Sequence, residues 1–76
     1  MEQAFYGDVN HIYIDAELYQ LQKVELEDET FFLLSRSGEI FCMIMEDENK
    51  QWKPDCEIPE NKYNQIIEWI YKLYML

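Results

Sequence analysis

Seventy-six residues with sixteen Asp and Glu against six Lys and Arg carry a formal charge of −10, which repels phosphate and anionic lipid and so argues against direct binding to nucleic acid or to a membrane. Hydrophobic residues make up 49% and aromatic residues 16%, which excludes a disordered chain, and the length suits a single domain spanning residues 1–76. No stretch approaches the roughly 20 apolar residues of a membrane span.

In chain order, Met1 to Gly7 has neither the basic region nor the apolar run of a signal peptide. A cytoplasmic protein with reduced thiols is therefore expected, and a bond between Cys42 and Cys56 stays open only if a leader has been removed. His11 to Ile14 reads as a short strand, and Tyr19 to Glu27 as another that turns at Glu27, Asp28 and Glu29. Taken alone, Ala16 to Val24 can also be read as a helix capped by Asp15. The strand is preferred, because the hairpin that follows needs a neighbour to be stable.

That hairpin is the clearest β signal. Thr30 to Ser35 and Glu39 to Glu46 are apolar and aromatic, and the Arg36, Ser37 and Gly38 between them fit a three-residue loop with Gly in the left-handed position. This register pairs Ser35 with Glu39. It puts Phe32, Leu34, Ile40, Cys42 and Ile44 on one face and Phe31, Leu33, Phe41, Met43 and Met45 on the other. Trp52 opens a brief extended piece ending at Pro54, whose ring bars a central strand position.

Glu60 to Met75 reads as a helix. Pro59 suits its first turn, Glu57 and Glu60 its positive end, and Lys72 its negative end. Tyr63, Ile67, Ile70 and Tyr74 line one ridge, with Ile66 and Leu73 beside it. Including Trp69 and Tyr71, the apolar arc is about 200° wide, more than the 100° or so that one contact needs. The expected fold is α+β: a small antiparallel meander of three to five strands, followed by one C-terminal helix packed across the sheet.

This plan leaves one face uncovered. A sheet with a solvated face should alternate apolar with polar residues, and this hairpin is apolar on both sides. The cover must come from the N-terminal segment (Ala4, Phe5 and Tyr6), from a second copy of the chain, or from another protein.

Chemistry is poorly served. Cys42 lies in an apolar run, while Cys56 lies between Asp55 and Glu57, carboxylates that raise a thiol's pKa. His11 is the only histidine, and nothing in its spacing ties it to either cysteine. There is no short cysteine pair of the zinc type, and Glu46, Asp47, Glu48 and Asn49 lack the Gly and distal Glu of a calcium loop. No catalytic residue, metal site or cofactor is expected, and the chain is not read as an enzyme.

The carboxylates cluster instead. Glu25, Glu27, Asp28 and Glu29 surround one turn, and Glu46, Asp47 and Glu48 the next but one. Alternate turns of a meander share one end of the sheet, so the two clusters form one negative edge, with Asp55 and Glu57 not far away. These seven residues and Trp69, a residue type enriched at interface hot spots, are the candidate partner-binding set. The expected partner is another protein with a basic surface; if that surface normally holds nucleic acid, the chain mimics DNA and blocks it. In size and charge the chain is similar to small acidic inhibitors of phages and mobile elements, a likeness of composition alone. The alternative is a homo-oligomeric accessory subunit, a homodimer for instance, whose acidic surface serves only solubility.

Overall fold

The computed structural model describes residues 4–27 and 29–75. Five strands run in chain order across one antiparallel sheet: β1 (Ala4–Ile14), β2 (Glu17–Leu26), β3 (Glu29–Arg36), β4 (Glu39–Glu46) and β5 (Trp52–Pro54). One C-terminal helix, α1 (Glu60–Ile70), continues as a π-helical turn over Tyr71–Met75. The segment open to either reading, Ala16 to Val24, is strand, because β1 and β3 both pair with it. The sequence's β1 was too short. It begins at Ala4 rather than His11, and a register shift between Tyr6 and Val9 absorbs Gly7 and Asp8. Gln22 Nε2 donates to the Gly7 carbonyl at 2.8 Å and holds that irregular stretch to β2.

The central hairpin differs from its expected form. Its turn has two residues, Ser37 and Gly38, both with positive φ (55° and 82°), the backbone whose twist suits tightly paired strands. Arg36 pairs with Glu39 and Ser35 with Ile40, then the register slips and Leu34 pairs with Cys42. Phe41 is the extra residue of this bulge, and its ring lies 5.9 Å from that of Tyr19, edge to face. The slip moves Ile40 away from Cys42 and Ile44 onto the opposite face, where it is 67% exposed.

The core sits on one face. Ile12 and Ile14 of β1, Tyr19 and Leu21 of β2, Phe32 and Leu34 of β3, and Cys42 and Ile44 of β4 are buried there with Trp52. Ile66 and Ile70 of α1 belong to the same cluster. Phe32 is its centre: the Trp52 ring lies 5.0 Å away and the Tyr74 ring 4.9 Å. Tyr74 Oη accepts from Asn10 Nδ2 at 2.7 Å and donates to the Leu21 carbonyl at 3.3 Å, while Tyr63 Oη donates to the Trp52 carbonyl. Tyr63 and Tyr74 thus each pack a ring against the core and satisfy the hydroxyl. Trp52, which opens the short β5, is a core residue. The helix stripe is narrower than its sequence suggests, since Leu73 and Tyr71 are exposed.

Turn β1–β2 also has two residues with positive φ, Asp15 at 51° and Ala16 at 65°. Asp15 is anchored by a reciprocal pair: its N–H donates to Gln65 Oε1 at 3.0 Å, and Gln65 Nε2 donates to its carboxylate at 2.7 Å. Ala16 has no such compensation, and a left-handed alanine costs about 1 kcal/mol. Ala16→Gly is expected to raise the melting temperature by about 5 °C, as read by thermal unfolding followed by circular dichroism. An unchanged or lower midpoint contradicts the strain.

Candidate functional site

The meander brings the two acidic turns together. Leu26 pairs with Glu29 across the β2–β3 turn, Phe31 with Met45, and Glu46 with Trp52 at the β4–β5 turn. Both turns therefore lie at one end of the sheet, and Glu29, Thr30, Met45 and Glu46 line one shallow groove there. Asp28 lies outside the described residues.

The carboxylates of this end are not equivalent. Glu25 is matched by Lys23, whose Nζ lies 3.1 Å from Glu25 Oε1. Asp47 is structural, because its Oδ1 accepts the Asn49 and Gln51 N–H groups, both at 2.9 Å, and its own N–H donates to the Gln51 carbonyl at 2.8 Å. This closes the turn in which Lys50 adopts a φ of 60°. Glu27, Glu29, Glu46 and Glu48 are exposed. Among the described residues no ion pair involves these four, and they form the outward-facing charge of the end. Lys50 and Lys53 lie nearby, so the end is negative but not uniformly so.

Trp69 does not join them. Its Nε1–H donates to the Tyr13 carbonyl at 3.0 Å, near the opposite end of β1, and Lys72 Nζ lies 5.1 Å from its ring centroid. It is half-buried at the margin of the core. Asp55 and Glu57 also stand apart from the acidic end. Asp55 continues the ladder of β5, its N–H donating to the Met43 carbonyl at 2.8 Å and its carboxylate accepting the Met43 N–H at 2.9 Å.

That docking explains the cysteines. With Asp55 held on β4, Cys56 reaches Cys42, and the two form a disulfide with Cα atoms 5.8 Å apart. The expectation of two free thiols is corrected: Cys42 is a buried half-cystine, not a small hydrophobe. Cys42, Asp55 and Cys56 place donor atoms within 4.8 Å of one another. With the thiolates consumed in the bond, this group offers a metal one carboxylate.

The second face of the sheet remains. Opposed residues share a face, so Val24, Phe31 and Met45 point away from the core, as do Leu33 and Met43. Val24 is nonetheless only 1% exposed. Tyr13 and Leu18 extend this face along β1 and β2 and are exposed. Of the three covers the sequence allows, Ala4 to Tyr6 does not supply one: these residues are paired strand, and Phe5 and Tyr6 are themselves exposed. No helix among the described residues is long and apolar enough to cross a membrane.

Comparison with protein-family models, with curated proteins and with solved structures finds no match to this chain.

The disulfide closes a loop with a sequence separation of 14, and a loop of about that length is worth about 3 kcal/mol. Urea unfolding with and without reductant should show that loss at an unchanged native fold. An equal midpoint in both conditions would mean that the Asp55 hydrogen bonds alone hold the loop.

Proposed function

We propose that the protein is a binding module that sets its acidic end against a basic surface of another protein, and that this surface is one which otherwise holds a nucleic-acid backbone. The observation that carries the reading is the convergence of both acidic turns at one end, with Glu29 and Glu46 lining one groove. In this reading the helix, laid across the core face through Ile66 and Ile70, leaves that end free. Opposite fields then speed encounter and fix orientation, and like charge rejects nucleic acid and acidic partners. The sheet is a rigid support, and the Asp47 hydrogen bonds hold the β4–β5 turn in one shape before contact. Such pre-organisation reduces the entropy cost of binding.

A partner that handles nucleic acid puts the encounter in the cytoplasm. Thiols there are kept reduced, and the fold would stand without the Cys42–Cys56 bond. No step of this reading needs a catalytic group, a metal or a cofactor.

The test spares the structural carboxylate. A triple variant, Glu27→Gln, Glu46→Gln and Glu48→Gln, removes outward charge and leaves Asp47 in place. Proteins captured from an extract of the source cells by the wild-type chain are expected to be nucleic-acid-binding, to elute with salt, and to be displaced by a short DNA duplex. Their affinity for the triple variant should fall about tenfold or more, with a shallower salt dependence. Capture that is indifferent to DNA, to salt and to the three substitutions would overturn the reading.

A further inference from the structure

The strand carboxylates sit on the wrong face for a monomer. Glu17 pairs with Ile14, Glu25 with Thr30, Glu39 with Arg36 and Glu46 with Trp52. All four therefore lie at the margins of the core face, beside residues such as Ile14 and Trp52. The second face should carry the charge if it met only water. Among its paired positions it holds one carboxylate, Glu29, at the start of β3. Its middle is Phe31, Leu33 and Met43, half-buried, with Met45 exposed; Gln20, Gln22 and Ser35 hold adjoining paired positions, Lys53 lies opposite Met45, and Tyr13 and Ile40 extend the apolar surface towards the other end.

We infer that this face is the interface of a symmetric homodimer, two copies of the sheet stacked face to face. Three observations select a second copy over a foreign chain. The means this molecule has for recruiting a basic partner is its negative charge, and that charge is withheld from this face. With Glu29 offset by Lys53, the face carries no net charge and is mostly apolar; such a surface is matched by another of the same kind, a second copy supplies one by definition, and a two-fold contact needs only that self-complementarity. The dimensions also fit. At about 4.8 Å between strands and about 3.3 Å per residue the face is about 20 Å by 25 Å in projection. The relief of its side chains raises this towards the about 800 Å² per partner of a standard interface. The single chain exposes 5638 Å², above the about 5,000 Å² of a compact protein of its mass. Stacking two twisted antiparallel sheets in near alignment, about 10 Å apart, is an ordinary way to bury such a surface.

Charge makes the proposal distinctive. Each copy carries −10, so association works against a long-range repulsion that salt screens over about 8 Å at physiological strength. Added salt therefore strengthens this contact, the opposite of its effect on binding through the acidic end. Of the carboxylates at the acidic end, Glu29 lies at the rim of the stacked face and Glu46 on the core side; the dimer does not depend on the function proposed for that end.

The test is the molar mass from light scattering over a concentration series at low and high salt. The expected result is a monomer–dimer equilibrium that shifts to dimer as salt rises. Met43→Glu at the centre of the face should weaken it about a hundredfold, because a charge is buried unpaired. If that variant does not fold, Met45→Glu and Ile40→Glu carry the same prediction, their side chains being 40% and 67% exposed in the single chain. Tyr71→Glu, exposed on the helix, should change nothing. A mass of one chain at the highest soluble concentration in high salt overturns the proposal. A dimer that weakens with salt, or that survives all three face substitutions, overturns it as well.

Discussion

A sheet has two faces, and the described residues of this chain form one helix. Ile66 and Ile70 enter the cluster built on Phe32, and the ring of Phe32 lies between those of Trp52 and Tyr74. Burying one large apolar side chain contributes about 1.5–3 kcal/mol, and this face gathers most of the buried side chains. Everything else follows from what that arrangement leaves over. Tyr63 and Tyr74 are satisfied on backbone carbonyls and Asp15 is clasped by Gln65. The other side of the sheet keeps Phe31, Leu33 and the two methionines of β4 with nothing above them among the described residues.

The distribution of charge complements this geometry. Burying carboxylates at a contact between copies costs several kcal/mol each unless they are paired, and the strands keep theirs to the core-side margins and the turns. The surface has a negative end and a mostly apolar face, and the two contacts proposed for them would respond to salt in opposite senses. Two ion pairs among the described residues, Lys23 with Glu25 and Arg36 with Glu17, lie at the surface and contribute about 1 kcal/mol or less each; neither involves Glu27, Glu29, Glu46 or Glu48.

Much of this was legible in the sequence, because the periodicity of the hairpin and of the helix is strong. The two-faced apolarity of Phe31 to Met45 was visible without coordinates of any kind, as was the shared end of the acidic turns. The failures have physical causes. A three-residue loop and a two-residue turn followed by a bulge both place Gly38 at positive φ, so the glycine does not distinguish them; the fit of the Phe41 ring against Tyr19 does. β1 was cut short because Gly7, Asp8 and Asn10 are poor strand formers, and only pairing to β2 makes them one. The disulfide was hidden because no sequence spacing announces a loop that Asp55 folds back onto Met43. Trp69 stands apart from the acidic end, and residue type does not reveal the Tyr13 carbonyl that holds it.

The most direct measurement of the central claim is the accessibility of side-chain methyl groups to a soluble, uncharged paramagnetic probe, read by nuclear magnetic resonance at low and high protein concentration. The account predicts that the methyls of Leu33, Met43 and Met45 are relaxed by the probe in dilute solution and become protected as concentration rises, while those of Ile66 and Ile70 stay protected throughout. Leu33 and Met43 methyls that remain accessible at every concentration would contradict it.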